Sequence, residues 1–133
     1  MKFLTTYGAV AIVFLGLDYL WLSYAGERIY RPALGNLLAE KPDIPVAAMF
    51  YLVYAVGIVV FAVGLEGQRS LLATAAYGAL LGVVAYGTYD ITNLSTLRGW
   101  PLSVSLIDMA WGTTLTTVAA MAGALAARLL PAP

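Results

Sequence analysis

Apolar residues run through the chain in four long blocks: Leu4–Tyr24, Val46–Leu65, Ser70–Asn93 and Leu102–Leu130. Each block reaches the roughly 20 residues that a helix needs to cross a bilayer. None shows the strict apolar–polar alternation of a barrel strand, and lipid tolerates only helices or closed barrels because it cannot satisfy backbone groups. Pro45 and Pro101 stand beside the starts of the second and fourth blocks, where a missing N–H costs nothing. The pattern predicts an all-α polytopic membrane protein, with four transmembrane helices in an antiparallel bundle forming a single domain over residues 1–133. The first block follows Lys2 and resembles a signal peptide, but it has no small-x-small cleavage site before Asp18 and reads as a retained span.

The connections differ in kind. Ala25–Ile44 is long and carries Glu27, Arg28, Arg31, Glu40, Lys41 and Asp43, with Arg31–Leu38 a candidate for a short surface helix. Glu66–Arg69 reads as a tight solvated turn, and Leu94–Trp100 ends in the turn Gly99-Trp100-Pro101. Lys2, Arg69 and Arg128 fall at one face and Arg28, Arg31, Lys41 and Arg98 at the other, so the positive-inside rule is nearly balanced.

Composition agrees with the pattern. Hydrophobic residues make up 62% of the 133 residues and charged residues 11%. A soluble domain of this size has too much surface for its volume to hide that much apolar material. Seven basic and seven acidic residues balance, and no basic stripe forms, which argues against nucleic acid as a partner. With neither cysteine nor histidine, disulfides, thiolate nucleophiles, zinc sites and Ser-His catalysis are excluded. Any metal would need oxygen ligands alone; no metal site is read here, and no cofactor is indicated.

Alternating spans bring the end of the first, the start of the second, the end of the third and the start of the fourth to one face. That half of the bilayer collects Asp18, Trp21, Tyr51, Tyr54, Tyr86, Tyr89, Asp90, Asn93, Asp108 and Trp111, the candidate ligand-binding residues. Gly82, Tyr86, Tyr89, Asp90 and Asn93 share one helical face by their spacing. Asp18-x-x-Trp21 in the first span reappears as Asp108-x-x-Trp111 in the fourth, a fragment of a repeat. Charged groups in lipid normally turn to the bundle interior and demand partners. Few cations lie within reach of these aspartates, so at least one is expected to keep its proton, since desolvation and a like charge both disfavour ionisation.

Each feature also has a plain structural reading. Trp21 and Trp100 suit interfacial anchors. Gly78 and Gly82 suit close helix contacts, and Thr113, Thr114, Thr116 and Thr117 suit bonds to their own helix carbonyls. The aspartates divide between a functional role and structural hydrogen bonding. The rows Gly8, Ile12, Gly16 and Ala119, Gly123, Ala127 are suited to contacts inside the bundle or between copies in a homo-oligomer.

The string Ala85-Tyr-Gly-Thr-Tyr-Asp-Ile-Thr-Asn-Leu94, continuing through Ser95-Thr-Leu-Arg-Gly-Trp-Pro101, resembles the bacterial membrane family called domain of unknown function 2177. Asp18-Tyr-Leu-Trp21, Phe50-Tyr-Leu-Val-Tyr54 and Asp108-Met-Ala-Trp-Gly112 fit the same pattern, so the resemblance covers nearly the whole chain. It implies a four-span protein of the bacterial inner membrane and assigns no activity to any residue.

Three functions remain open at this level. One is an accessory or binding module that holds a membrane lipid or another hydrophobic small molecule in a one-sided polar and aromatic pocket. The second is a membrane-embedded enzyme using aspartates as acid and base on a lipid-soluble substrate. The third is a proton-coupled small transporter or channel. The stretches Ala9–Gly16 and Val118–Ala127 carry no charge, which favours a one-sided pocket over a through-path.

Overall fold

A computed structural model describes residues 1–66 and 69–131. It contains four helices long and apolar enough to cross a membrane: α1 (Lys2–Leu37), α2 (Ile44–Val63), α3 (Leu71–Thr96) and α4 (Leu102–Arg128). No strand forms among the described residues. The all-α, four-helix membrane architecture expected from the apolar blocks is therefore the one observed.

The helix starts follow local chemistry. Asp43 caps α2, accepting from the Val46 N–H at 3.2 Å, with Pro45 in the first turn. Ser70 caps α3 by accepting from the Ala73 N–H at 3.1 Å. Such caps satisfy amides that have no partner within the helix. At its far end α2 widens into a π-helical turn over Ile58–Val63 and stops at Gly64, whose φ of 88° suits glycine. The Arg69 guanidinium then donates to the free carbonyls of Phe61 and Ala62, at 2.6 and 3.0 Å. The expected turn over Glu66–Arg69 includes Gly67 and Gln68, which lie outside the described residues.

The first connection departs from expectation. The helix does not end near Tyr24; it runs on through a π-helical turn at Gly26–Tyr30 and a further turn at Arg31–Leu34. Gly26 stays in the right-handed helical region, and the Arg31 N–H bonds the Gly26 carbonyl one residue beyond the ordinary partner. Pro32, which has no N–H to donate, follows at once, so the widened turn spans the place where the ordinary ladder is interrupted. The charges that suggested a loop lie on the outer side: Arg31 pairs with Glu27 at 3.0 Å, and Arg28 lies over the Tyr24 ring. On the inner side Tyr30 and Leu34 are buried with Ala25 and Val104. The segment is an extension of α1 folded over one end of the bundle.

Helix α4 is the most buried of the spans and packs against both α1 and α3. Small residues let it approach closely. A methyl group at Gly82 would meet the Thr113 backbone at 2.7 Å, and one at Gly112 would occupy the Tyr86 ring itself. Val10 and Phe14 of α1, Ile58 and Val59 of α2, and Leu115 and Ala119 of α4 fill the core below. Ala119, Gly123 and Ala127 face inward, whereas Ile12 is 74% exposed on the outer surface near Gly16. Leu72, at 81% exposure, likewise belongs to the face that lipid covers.

Candidate functional site

The two Asp-x-x-Trp pairs meet across the antiparallel contact of α1 with α4. The Trp111 indole N–H donates to Asp18 Oδ1 at 3.1 Å. Nearer the membrane face, the Trp21 indole N–H donates to the Tyr30 hydroxyl at 3.1 Å, and that hydroxyl donates to Asp108 Oδ1 at 2.8 Å. Each aspartate is thus tied to the tryptophan of the opposite helix, one directly and the other through Tyr30. The two indoles stack between them, with ring centroids 4.8 Å apart and planes 15° from parallel. This reciprocity follows from the motif: Asp and Trp three positions apart share one face, and antiparallel helices set each Asp level with the other's Trp. Asp108 lies about 9 Å along the axis from Leu102 at 1.5 Å per residue, more than one turn inside α4.

Beneath Asp18 lies a tyrosine floor. The Tyr51 and Tyr54 rings both stand edge-on to Phe14. Tyr54 shares a hydrogen bond of 2.9 Å with the buried Thr116 hydroxyl and meets Tyr86 edge-on. Thr116 therefore differs from Thr114 and Thr117, which bond to carbonyls of their own helix as expected.

Asp90 of α3 is the outlier. It is 0% exposed, yet neither of its carboxyl oxygens receives a hydrogen bond from the described residues. Its carboxyl lies beside that of Asp108. Ser105 donates to the Asp90 backbone carbonyl at 2.8 Å while accepting from the Trp100 indole at 3.0 Å. Native proteins rarely leave a buried polar atom without a partner, so this one requires a reason.

The ten candidate residues thus separate into layers. Asp18, Trp21, Asp90, Asp108 and Trp111 form the centre, with Tyr51, Tyr54 and Tyr86 below them. Tyr89 and Asn93 lie at the edge; Tyr89 is 56% exposed and packs edge-on against Trp100. Trp21 and Trp100, candidates for interfacial anchors, are both half-buried, and their indole N–H groups bond to side chains of the bundle. Tyr30, Ser105 and Thr116 belong to the network although the sequence did not single out the first two, and Thr116 only as a self-bonding threonine. No group of three or more His, Cys, Asp or Glu converges to hold a metal ion among the described residues.

Four apolar helices with an ordered carboxyl and aromatic network at one end define a small multi-pass membrane protein. The chain belongs to the family described as "Predicted membrane protein (DUF2177)", whose model matches residues 3–125. No curated protein and no solved structure matches it.

Proposed function

We propose that the protein is a binding module of the bacterial inner membrane that holds the polar head of a lipid or similar amphiphile at the Asp18–Asp90–Asp108 cluster. One observation carries this reading: Asp90 is fully buried with two oxygens that accept nothing. A carboxyl placed this way is costly unless something donates to it, and a head group bearing hydroxyl or amine hydrogens supplies that donor. The extension of α1 covers the cluster and bonds to it through Tyr30, so a shift of this extension is the entry route. Its π-helical turn at Gly26–Tyr30 supports that route, since such turns are frequent at functional sites. The stacked indoles of Trp21 and Trp111 give an apolar wall next to the carboxyls.

Mild extraction followed by native mass spectrometry tests the proposal. The wild-type chain is expected to retain about one amphiphile per protein through washes that strip bulk lipid, and Asp90→Asn to lose it. Equal retention by both proteins, or none by the wild type, contradicts it.

A further inference from the structure

Ser105 sets the level of Asp90 against α4. Its hydroxyl donates to the Asp90 backbone carbonyl at 2.8 Å. A methyl group at Gly87, three positions earlier on the same side of α3, would meet Met109 Cε at 3.1 Å. Asp90 therefore stands beside the Ser105–Met109 turn of α4. Ser105, Asp108 and Trp111 follow at three-residue steps along one side of that helix. The Trp111 indole carries the row on to Asp18.

The indole, serine and Tyr30 hydrogens near these carboxyls are spent. Trp111 donates to Asp18, Tyr30 to Asp108, Trp21 to Tyr30, Trp100 to Ser105, and Ser105 to a backbone carbonyl. Asp90 is left with two oxygens that receive nothing. The phenols of Tyr51 and Tyr86 can accept as well as donate. No Lys or Arg side chain bonds to any of the three carboxyls among the described residues. Arg31 is engaged with Glu27, Arg28 lies over Tyr24, and Arg69 donates to carbonyls at the far end of α2.

What stays open is oxygen in need of hydrogen, in a place without a cation. Two bare oxygens ask for two hydrogens, and an alcohol head group brings one. A glycerol head brings more, but each of its own oxygens asks for a donor in turn. A phosphate brings acceptors and a negative charge. A primary ammonium brings three hydrogens and no acceptor. It also supplies the positive partner that buried acidic groups normally have. The stacked indoles of Trp21 and Trp111 attract a cation through their ring faces.

We propose that the head group taken at Asp90 is a primary ammonium, so that the amphiphile is a long-chain amine or an aminophospholipid. The inference rests on the amphiphile-binding reading above and names the chemistry of its ligand. Asp90 accepts from the ammonium through its two free oxygens, while Tyr30 and Trp111 keep Asp108 and Asp18 in place around it.

A head-group series tests it. Delipidated protein in phosphatidylcholine nanodiscs is offered, one at a time, hexadecylamine, hexadecanol, monopalmitoylglycerol, hexadecyl phosphate and hexadecyltrimethylammonium. The last keeps the charge of an ammonium and has no N–H. Mild extraction and native mass spectrometry then count the probe retained. Hexadecylamine is expected at about tenfold or more the occupancy of each of the others, the factor that one charge-assisted hydrogen bond supplies. Phosphatidylethanolamine is offered last: its retention marks an aminophospholipid as the source of the ammonium, and its exclusion marks a simple amine. Equal retention of any probe that lacks the primary amine overturns the proposal, as does no retention of hexadecylamine. These outcomes are read on the wild-type chain alone. Asp90→Asn, where it folds, is expected to lose the preference, and an unchanged preference there overturns the proposal too. If the wild type extracted from membranes retains an amphiphile without an amine, the ammonium is refuted and the binding module stands. If it retains none, both fall.

Discussion

Tyr30 and Asp108 are 78 positions apart in the chain and 2.8 Å apart in space, joined by a phenol-to-carboxylate hydrogen bond. That bond fastens the extension of α1 to the start of α4. It also closes the end of the bundle over the carboxyl cluster, because Tyr30 accepts from Trp21 at the same time. Removing the hydroxyl leaves a carboxylate and an indole N–H unpartnered together. Tyr30→Phe is expected to destabilise the protein by about 1–3 kcal/mol, the range for orphaning buried polar groups. Hydrogen exchange across residues 26–37 is expected to quicken more than exchange in α3. Uniform change in all helices would show that Tyr30 does not act as the local fastening.

The Trp111–Asp18 bond makes a second test. Trp111→Phe keeps a ring for stacking on Trp21 but removes the donor to Asp18. Reversible unfolding in mixed micelles is expected to show a loss of about 1–3 kcal/mol. Repeating the change in an Asp18→Asn background should cost measurably less, since the carboxyl acceptor is gone. Equal costs in the two backgrounds would show that the residues are not coupled.

Gly112 tests the packing that sets the site's geometry. Any side chain there would enter the Tyr86 ring. Gly112→Ala is expected to cost about 1–3 kcal/mol through overpacking. A smaller residue at position 86 should recover part of that loss, so the Gly112→Ala, Tyr86→Ala pair is expected to show favourable coupling. Strict additivity in the same unfolding assay would place the clash elsewhere.

The four spans were legible because hydrophobic length is a direct physical requirement of the bilayer. That Asp18, Asp90 and Asp108 fall at the same end of the bundle was legible too, since alternating helices fix which ends share a level. Tyr30 was hidden by its neighbours. Glu27, Arg28 and Arg31 give its segment the look of a solvated loop, although those charges occupy only the outer side of a continuing helix. Tyr89 is less enclosed than its spacing suggests. Its spacing puts it with Gly82 and Asp90, but near the end of α3 its ring leans onto Trp100 and leaves more than half its surface uncovered. Periodicity assigns a face; it does not say how far along the helix neighbours cover that face. The crossed pairing of the Asp-x-x-Trp motifs was present in the sequence as a repeated spacing, but its meaning needed the antiparallel register of α1 against α4.

The central claim is that an amphiphile's head group enters the carboxyl cluster rather than lying along the outer surface. Photolabelling in native membranes with lipids that carry a diazirine close to the head group measures this most directly. Crosslinks are expected on peptides containing Asp90 and Asp108, and their loss in Asp90→Asn. Crosslinks confined to lipid-facing residues such as Ile12, Leu20 and Leu72, unchanged in that variant, would contradict it.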